Sequence, residues 1–340
     1  MTLRLNLRNV VAGATCLAVS MMFLSCKGKN SNSGNAANDD SQAVVTEKMM
    51  SITTVQEYLT IYLKGSGEAT VNWGDGTSDE TFTLDEEGIK SEKYLAGAIE
   101  RTVTIVGENI TYLVCNGNQM ASLNVSNNTA LTYLDCGSNQ LTGIDVSKNI
   151  ALTDLICDHN QLTTLDVSNN TALTKLYCYD NQLTNVDVTN NTALTWLEFG
   201  KNQMTTLDVR KNKALTILGC SENKLTSLDV RNNTALTEFS CILNQLTSLD
   251  VSKNIALKYL ECGGNQLTSL DLSKNTELYL LSCIANHLSE SAVNFMLGTL
   301  HGNTIDGKVV RLFGNYGTEA CDKNIAEKNG WTVDTEFNYY

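Results

Sequence analysis

Between residues 110 and 288 the apolar positions carry two periods at once. Over a few residues they alternate. In Leu131-Thr-Tyr-Leu134-Asp-Cys136 the Leu134 and Cys136 side chains fall on one face of an extended segment, Tyr133 and Asp135 on the other. The whole segment then returns every 21 residues, with units opening at Ile110, Leu131, Leu152, Leu173, Leu194, Leu215, Leu236, Leu257 and Leu278. Each unit predicts one short strand, a turn and a return segment. A unit of that size cannot enclose its own apolar residues, so it is stable only when neighbours seal it on both sides. The pattern therefore predicts a solenoid of nine stacked coils with their strands side by side in a parallel sheet. An asparagine, Asn139 and its equivalents from Asn118 to Asn286, stands where the chain leaves each strand. An inward amide there can satisfy turn backbone groups that have no strand partner.

The period is lost on either side. Residues 50–109 show alternating apolar segments at 58–63, 69–73, 81–84 and 102–106, separated by turn residues. They predict a small β unit that covers the open end of the first coil. After Leu288, Ser289 can cap a helix with Ala292, Val293, Met296, Leu297 and Leu300 on one face. A strand over 308–312 and a second helix over about 318–328, ended by Gly330, complete an α/β cap spanning 289–340.

The unit LxxLxCxxNxL at this period resembles the leucine-rich repeat. With NQLTxLDVSxNTALTxL and the regular cysteine in the strand, it is similar to the cysteine-ladder repeats of internalin J and related bacterial surface proteins. The resemblance covers residues 110–288. It implies a right-handed horseshoe, mainly β, with the parallel sheet on its concave face and short 3₁₀ or extended segments on its convex side, and a role in adhesion or partner binding. Ala69 to Thr77, with its Trp-Gly-Asp-Gly-Thr run, is similar to a turn of PKD-like β domains, which implies a β-sandwich-like fold for 50–109. Gly317 to Trp331 resembles the closing cap of related bacterial repeat lipoproteins.

At the chain start, Arg4 and Arg8 precede an apolar stretch, 10–24, that is short for a bilayer span and reads as an export signal over 1–25. Its end, Phe23-Leu24-Ser25-Cys26, resembles the lipobox of bacterial lipoproteins and implies an acylated Cys26. By the same resemblance, the lack of Asp after Cys26 implies the outer membrane, and the expected location is the cell surface. Residues 26–49 are polar and aperiodic, as a flexible tether would be. The 340-residue chain carries a net charge of -13. Such a charge repels phosphate backbones and anionic lipid heads, so nucleic acid is excluded as a partner and the membrane is reached through the lipid anchor alone. A monomer is expected.

Comparing the nine units separates what the fold demands from what it leaves free. Inward positions barely change, whereas outward strand positions vary and form an aromatic and acidic stripe, densest from the second to the fifth unit. The candidate ligand-binding residues are Tyr133, Asp135, Asp154, Asp158, Lys175, Tyr177, Tyr179, Trp196, Glu198 and Tyr259, with Ile156, His159, Asp180, Lys201 and Glu261 beside them. Tyrosine and tryptophan offer large contact area at low entropic cost, for a protein or for sugar rings. The competing explanation is drift at unconstrained surface sites.

Cys115, Cys136, Cys157, Cys178, Cys220, Cys241, Cys262 and Cys283 repeat in the strand, with Phe199 in their place once. Strand spacing would allow disulfides by Cα distance, but parallel Cβ vectors stay wider apart than a disulfide prefers. A metal needs converging ligands, which a linear column does not give. The preferred reading is a column of small core hydrophobes. Asp145 and its equivalents to Asp271 would repel one another unless each bonds local turn amides, the reading preferred here. Asp75 and Asp79 could suggest calcium, yet Gly74 and Gly76 are explained by a tight turn.

Catalysis has little support: there are three histidines and no GxSxG, HExxH or phosphate-binding loop. Acid pairs at glycosidase spacing arise by default in rows of acids on adjacent strands. The expectation is a non-enzymatic protein without cofactor or metal, which binds a protein through the concave face. The alternative is a carbohydrate-binding accessory lipoprotein of a surface glycan uptake system.

Overall fold

The computed structural model describes residues 48–336. The expected signal peptide, Cys26 and the expected tether as far as residue 47 lie outside the described residues. Six antiparallel strands come first: β1 (Met49–Thr54), β2 (Tyr58–Asn72), β3 (Glu80–Leu84), β4 (Ile89–Tyr94), β5 (Arg101–Val114) and β6 (Met120–Asn124). Eight strands of three residues follow, one per coil: β7 (Tyr133–Asp135), β8 (Asp154–Ile156), β9 (Lys175–Tyr177), β10 (Trp196–Glu198), β11 (Ile217–Gly219), β12 (Glu238–Ser240), β13 (Tyr259–Glu261) and β14 (Leu280–Ser282). The chain then forms α1 (Glu290–Thr299), β15 (Val309–Arg311), α2 (Asn324–Glu327) and β16 (Thr332–Asp334).

From β5 through β7–β14 to β15 and β16 the strands are parallel and in chain order, a leucine-rich-repeat solenoid. Register follows the period, so Leu134, Leu155, Leu176 and Leu197 sit side by side and are fully buried. The eight cysteines of the strand column are buried and unbridged. Burial pushes the thiol of Cys283 up to about 12 and raises those of Cys115, Cys136, Cys220, Cys241 and Cys262, while Cys157 is raised by its contact with Cys178 and then by burial, so they pack as apolar groups rather than reacting as thiolates. Phe199 fills the place of the missing cysteine and is fully buried.

Two asparagine columns stitch the coils. In the one expected from the sequence, Asn202 donates through Nδ2 to the carbonyls of Cys178 (2.9 Å), Phe199 (3.1 Å) and Gly200 (3.1 Å), while its Oδ1 accepts from the Leu183 amide (2.9 Å). The second column, from Asn128 to Asn275, lies in the return segments. There Asn191 donates to the carbonyls of Val167 (2.9 Å) and Asn170 (2.8 Å) of the preceding coil. The aspartate column forms the local turns expected of it: Asp187 accepts from the Thr189 amide and Asp250 from the Ser252 amide.

In the N-terminal unit the segments 58–63 and 69–73 are not separate strands; both belong to β2, which reaches Asn72. β2 and β5 are irregular at Gly65–Ala69 and opposite it, and each strand changes partners along its length. The first half of β5 lies between β1 and the end of β2; its second half lies between the start of β2 and β7. This arrangement makes β5 run continuously across the 109/110 boundary into the first coil. In the 73–77 turn, Gly74 and Gly76 have φ of 68° and 79°, and a Cβ on Gly74 would lie 2.5 Å from the Thr102 carbonyl. Asp75 accepts from the amide (3.0 Å) and hydroxyl (2.6 Å) of Thr77.

At the other end, Ser289 caps α1 through the Ala292 amide, and Val293, Met296, Leu297 and Leu300 are buried. The second helix is shorter than the sequence predicts. Thr318 does not start it, because its hydroxyl donates to the Leu312 carbonyl (2.8 Å) and accepts from the Asn315 amide (3.1 Å). An aspartate turn at Asp322, accepting from Asn324 (3.1 Å), delays the helix to residue 324.

Candidate functional site

Three rows of side chains run across the strand face, which is concave in this fold. The first takes the residue before each inward leucine: Tyr112, Tyr133, Asp154, Lys175, Trp196 and Ile217 in register. The second takes the residue after it: Asp135, Ile156, Tyr177, Glu198, Gly219 and Ser240. The third lies two residues further, at Gly137, Asp158, Tyr179, Gly200 and Ser221. One position beyond this row the backbone is left-handed in every coil, with φ of 49° at His159, 54° at Asp180 and 53° at Lys201.

Aromatic residues gather where the sequence comparison placed them, and the stripe begins earlier than expected. Tyr112 stacks on Tyr133 at 4.1 Å, Tyr62 meets Tyr112 edge-on at 5.7 Å, and the Lys64 ammonium lies over both rings. Tyr62 and Lys64 belong to β2, outside the repeat, so comparison between units does not reach them. Their signal is the continuation of the β5 register into β2. Further along, Tyr177 and Trp196 lie at 4.9 Å with tilted rings. Tyr259 is set apart from this group by Ile217 and Glu238, which lie between it and Trp196 in the same row.

The acids divide into paired and unpaired groups. Asp154 holds Lys175 at 3.3 Å; Asp180 holds Lys201, and His159 at 3.1 Å. Asp158 lies 3.7 Å from His159. Asp135 accepts from the Gly137 amide (3.0 Å) and Asn116 (2.9 Å). Burial pushes the Asp135 carboxyl up to about 6, Asp158 adding to the effect while the two hydrogen bonds oppose it. Asp158 is raised too, by burial first, with His159 opposing. Gly137 separates the pair, and a Cβ there would stand 2.5 Å from Asp158 Oδ1 and 3.3 Å from Asp135 Oδ1. Glu198 is pushed up to about 7 by burial, opposed only by the Gly200 amide at 3.1 Å. Burial also raises the Tyr179 hydroxyl to about 12 and those of Tyr133, Tyr177 and Tyr259 further. These tyrosines are neutral donors at physiological pH.

Among the described residues no group of three or more His, Cys, Asp or Glu is placed to hold a metal ion. No described helix is long and apolar enough to cross a membrane. A second concavity, about 600 Å³, lies on the return segments and is lined by Asp187, Asp208, Arg210, Asp229, Arg231 and Asp250. Each arginine there is bound by two atoms to its own aspartate, at 2.8–3.0 Å, holding Asp208 and Asp229 down near 2. Those ion pairs neutralise Asp208 and Asp229, while Asp187 and Asp250 are held by the amides of Thr189 and Ser252.

No family model and no curated protein matches the chain. Among solved structures it is similar to the functional domain of InlJ from Listeria monocytogenes, described as including a cysteine ladder. The likeness is 30% identity over 71% of this chain and 56% of that one, with a TM-score of 0.51. The chain thus spans little more than half the length of that relative. Others are a leucine-rich-repeat protein of Leptospira interrogans (19% identity, 62% and 68% covered, TM-score 0.48) and the internalin InlF of Listeria monocytogenes (19%, 67% and 87%, 0.41). The structural neighbours thus include bacterial internalins, and the InlJ domain shares the cysteine column.

Proposed function

We propose that this chain is a non-enzymatic surface protein, exported and held in the bacterial outer membrane by acyl chains on Cys26, that binds a protein partner with its strand face between Tyr133 and Glu198. The observation that carries the reading is the half-buried group of Tyr177, Tyr179, Trp196 and Glu198, set beside the fully buried Leu176, Cys178, Leu197 and Phe199. Rigid aromatic rings held by a stiff sheet lose little entropy on docking, and such residues dominate binding energy at interfaces. The likeness to the cysteine-ladder domain of InlJ, described as that protein's functional domain, supports assigning function to the coils.

The test is capture of partners from host or neighbouring-cell extracts by the parent protein and by the double variant Tyr177→Ala, Trp196→Ala. Capture is expected to weaken at least about tenfold, roughly 1.4 kcal/mol, with the melting temperature nearly unchanged. A loss of stability with capture intact would contradict the assignment. The stacked Tyr112 and Tyr133 rings favour a second reading, a glycan ligand, and a glycan array with the same variant separates the two. Release of the protein from cells by Cys26→Ala, and its digestion by protease added to intact cells, test the anchor and the exposure.

A further inference from the structure

Among the strand-face acids from Asp135 to Glu198, Asp135 and Glu198 meet no lysine, arginine or histidine among the described residues; Asp135 is held by two hydrogen bonds and Glu198 by one, from the Gly200 amide. Asp154, Asp158 and Asp180 each face a lysine or histidine. Its carboxylate lies against the bare backbone of β11: a Cβ on Gly219 would collide with both carboxylate oxygens, and one on Gly200 would stand 3.0 Å from Oε1. The floor is therefore two glycines. The walls are aromatic. Tyr177 is its neighbour in register, Trp196 is tilted against Tyr177 at 4.9 Å, and the Tyr179 ring rests beside Gly200. The Trp196 indole N–H is buried and has no acceptor among the described residues.

A carboxylate drawn out of water without a counter-charge is costly, and the cost is recovered when a cation reaches it. Resting on the strand-face reading above, we propose that Glu198 and its aromatic walls form a socket for one arginine side chain of the protein partner. A guanidinium is planar and weakly hydrated, so it stacks on tyrosine and tryptophan while its edge donates to the carboxylate. A lysine ammonium is a compact, strongly hydrated point charge that gains less from the walls, and a neutral sugar brings no charge. The net charge of -13 draws basic segments toward the surface before contact is made.

The experiment follows the indole N–H signal of Trp196, identified by its loss in Trp196→Phe, in the whole chain during titration with acetyl-Gly-Ser-Arg-Ser-Gly-amide. The arginine peptide is expected to move that signal at millimolar concentration. Its citrulline twin, equal in shape and uncharged, leaves it in place, and the lysine twin binds at least about fivefold more weakly. Glu198→Gln weakens the arginine peptide at least about tenfold. Gly219→Ala, which displaces the carboxylate without removing its charge, also weakens it, with both variants checked for a folded transition. Equal movement by the citrulline peptide, undiminished binding by Glu198→Gln, or movement by maltohexaose in place of the arginine peptide overturns the proposal. If partner capture still requires Tyr177 and Trp196 while the arginine peptide leaves Trp196 unmoved, the arginine socket fails alone and the strand-face reading stands.

Discussion

Asp135 and Glu198 sit in the same strand row and share one electrostatic condition: each is more reluctant to ionise folded than unfolded. Asp135 titrates near 6 against an ordinary 3.8, and Glu198 near 7 against 4.5, both through burial. A raised carboxyl pKa means that the folded chain binds the proton more tightly, so this contribution to stability is complete below about pH 4 and is lost as pH rises through 6 and 7. Asp208 and Asp229, held near 2 by their arginines, run the other way: their small, solvent-screened contribution is present above 3.8 and fades only as pH falls toward 2. Between about pH 4 and 8, Glu198→Gln should therefore melt progressively higher than the parent, the two coinciding at the acid end. Melting curves across that range that stay parallel would show that Glu198 is not desolvated as described. A binding residue that weakens the free fold is the expected pattern where function and stability compete.

At the scale of the element, a three-residue strand and its turn hold their shape because side chains replace the missing backbone partners. Asn202 serves four backbone groups in two coils, and its equivalents repeat the arrangement. Removing it strands buried carbonyls and an amide, each costing about 1–3 kcal/mol when unpaired, although relaxation shares the loss. Asn202→Ala should cost about 3 kcal/mol in urea denaturation, whereas Asn190→Ala, at an exposed asparagine with a single 3.3 Å bond, should stay within about 0.5 kcal/mol. Comparable losses at both positions would mean that the column contributes no more than an ordinary surface hydrogen bond.

For the described molecule as a whole, the decisive property is that each coil touches mainly the coil before and the coil after. β5 begins the parallel array inside the antiparallel unit, and β15 and β16 carry it on past the last repeat. Stability is then a sum over coils and their interfaces. Excision of residues 215–235, one whole period that joins Ala214 to Leu236, should leave a folded protein with a single transition at a lower temperature. Excision of 215–224 alone should not fold, because it throws every later leucine out of the inward column. Circular dichroism melts of the two deletions distinguish these outcomes, and equal damage from both would contradict the coil-by-coil account.

What the amino-acid order determines by itself is whatever repeats. The inward columns of leucine and cysteine, the strand register, the asparagines at strand exits, the aspartate turns and the capped helix after Leu288 all follow from local geometry applied at a fixed period. Tertiary structure decides what depends on residues a coil or more apart. The exchange of partners along β5, from β1 to β7 with β2 alongside, is set by pairing between distant strands, and no short segment encodes it. The second asparagine column is ordinary turn sequence until stacking buries it against the preceding coil. Within the stripe, the sequence shows which residues face outward; the pairing of Asp154 with Lys175 and of Asp180 with Lys201, and the isolation of Glu198 over Gly219, are set by which side chains meet across neighbouring strands. Charge and burial act through space, and only the folded chain fixes those distances.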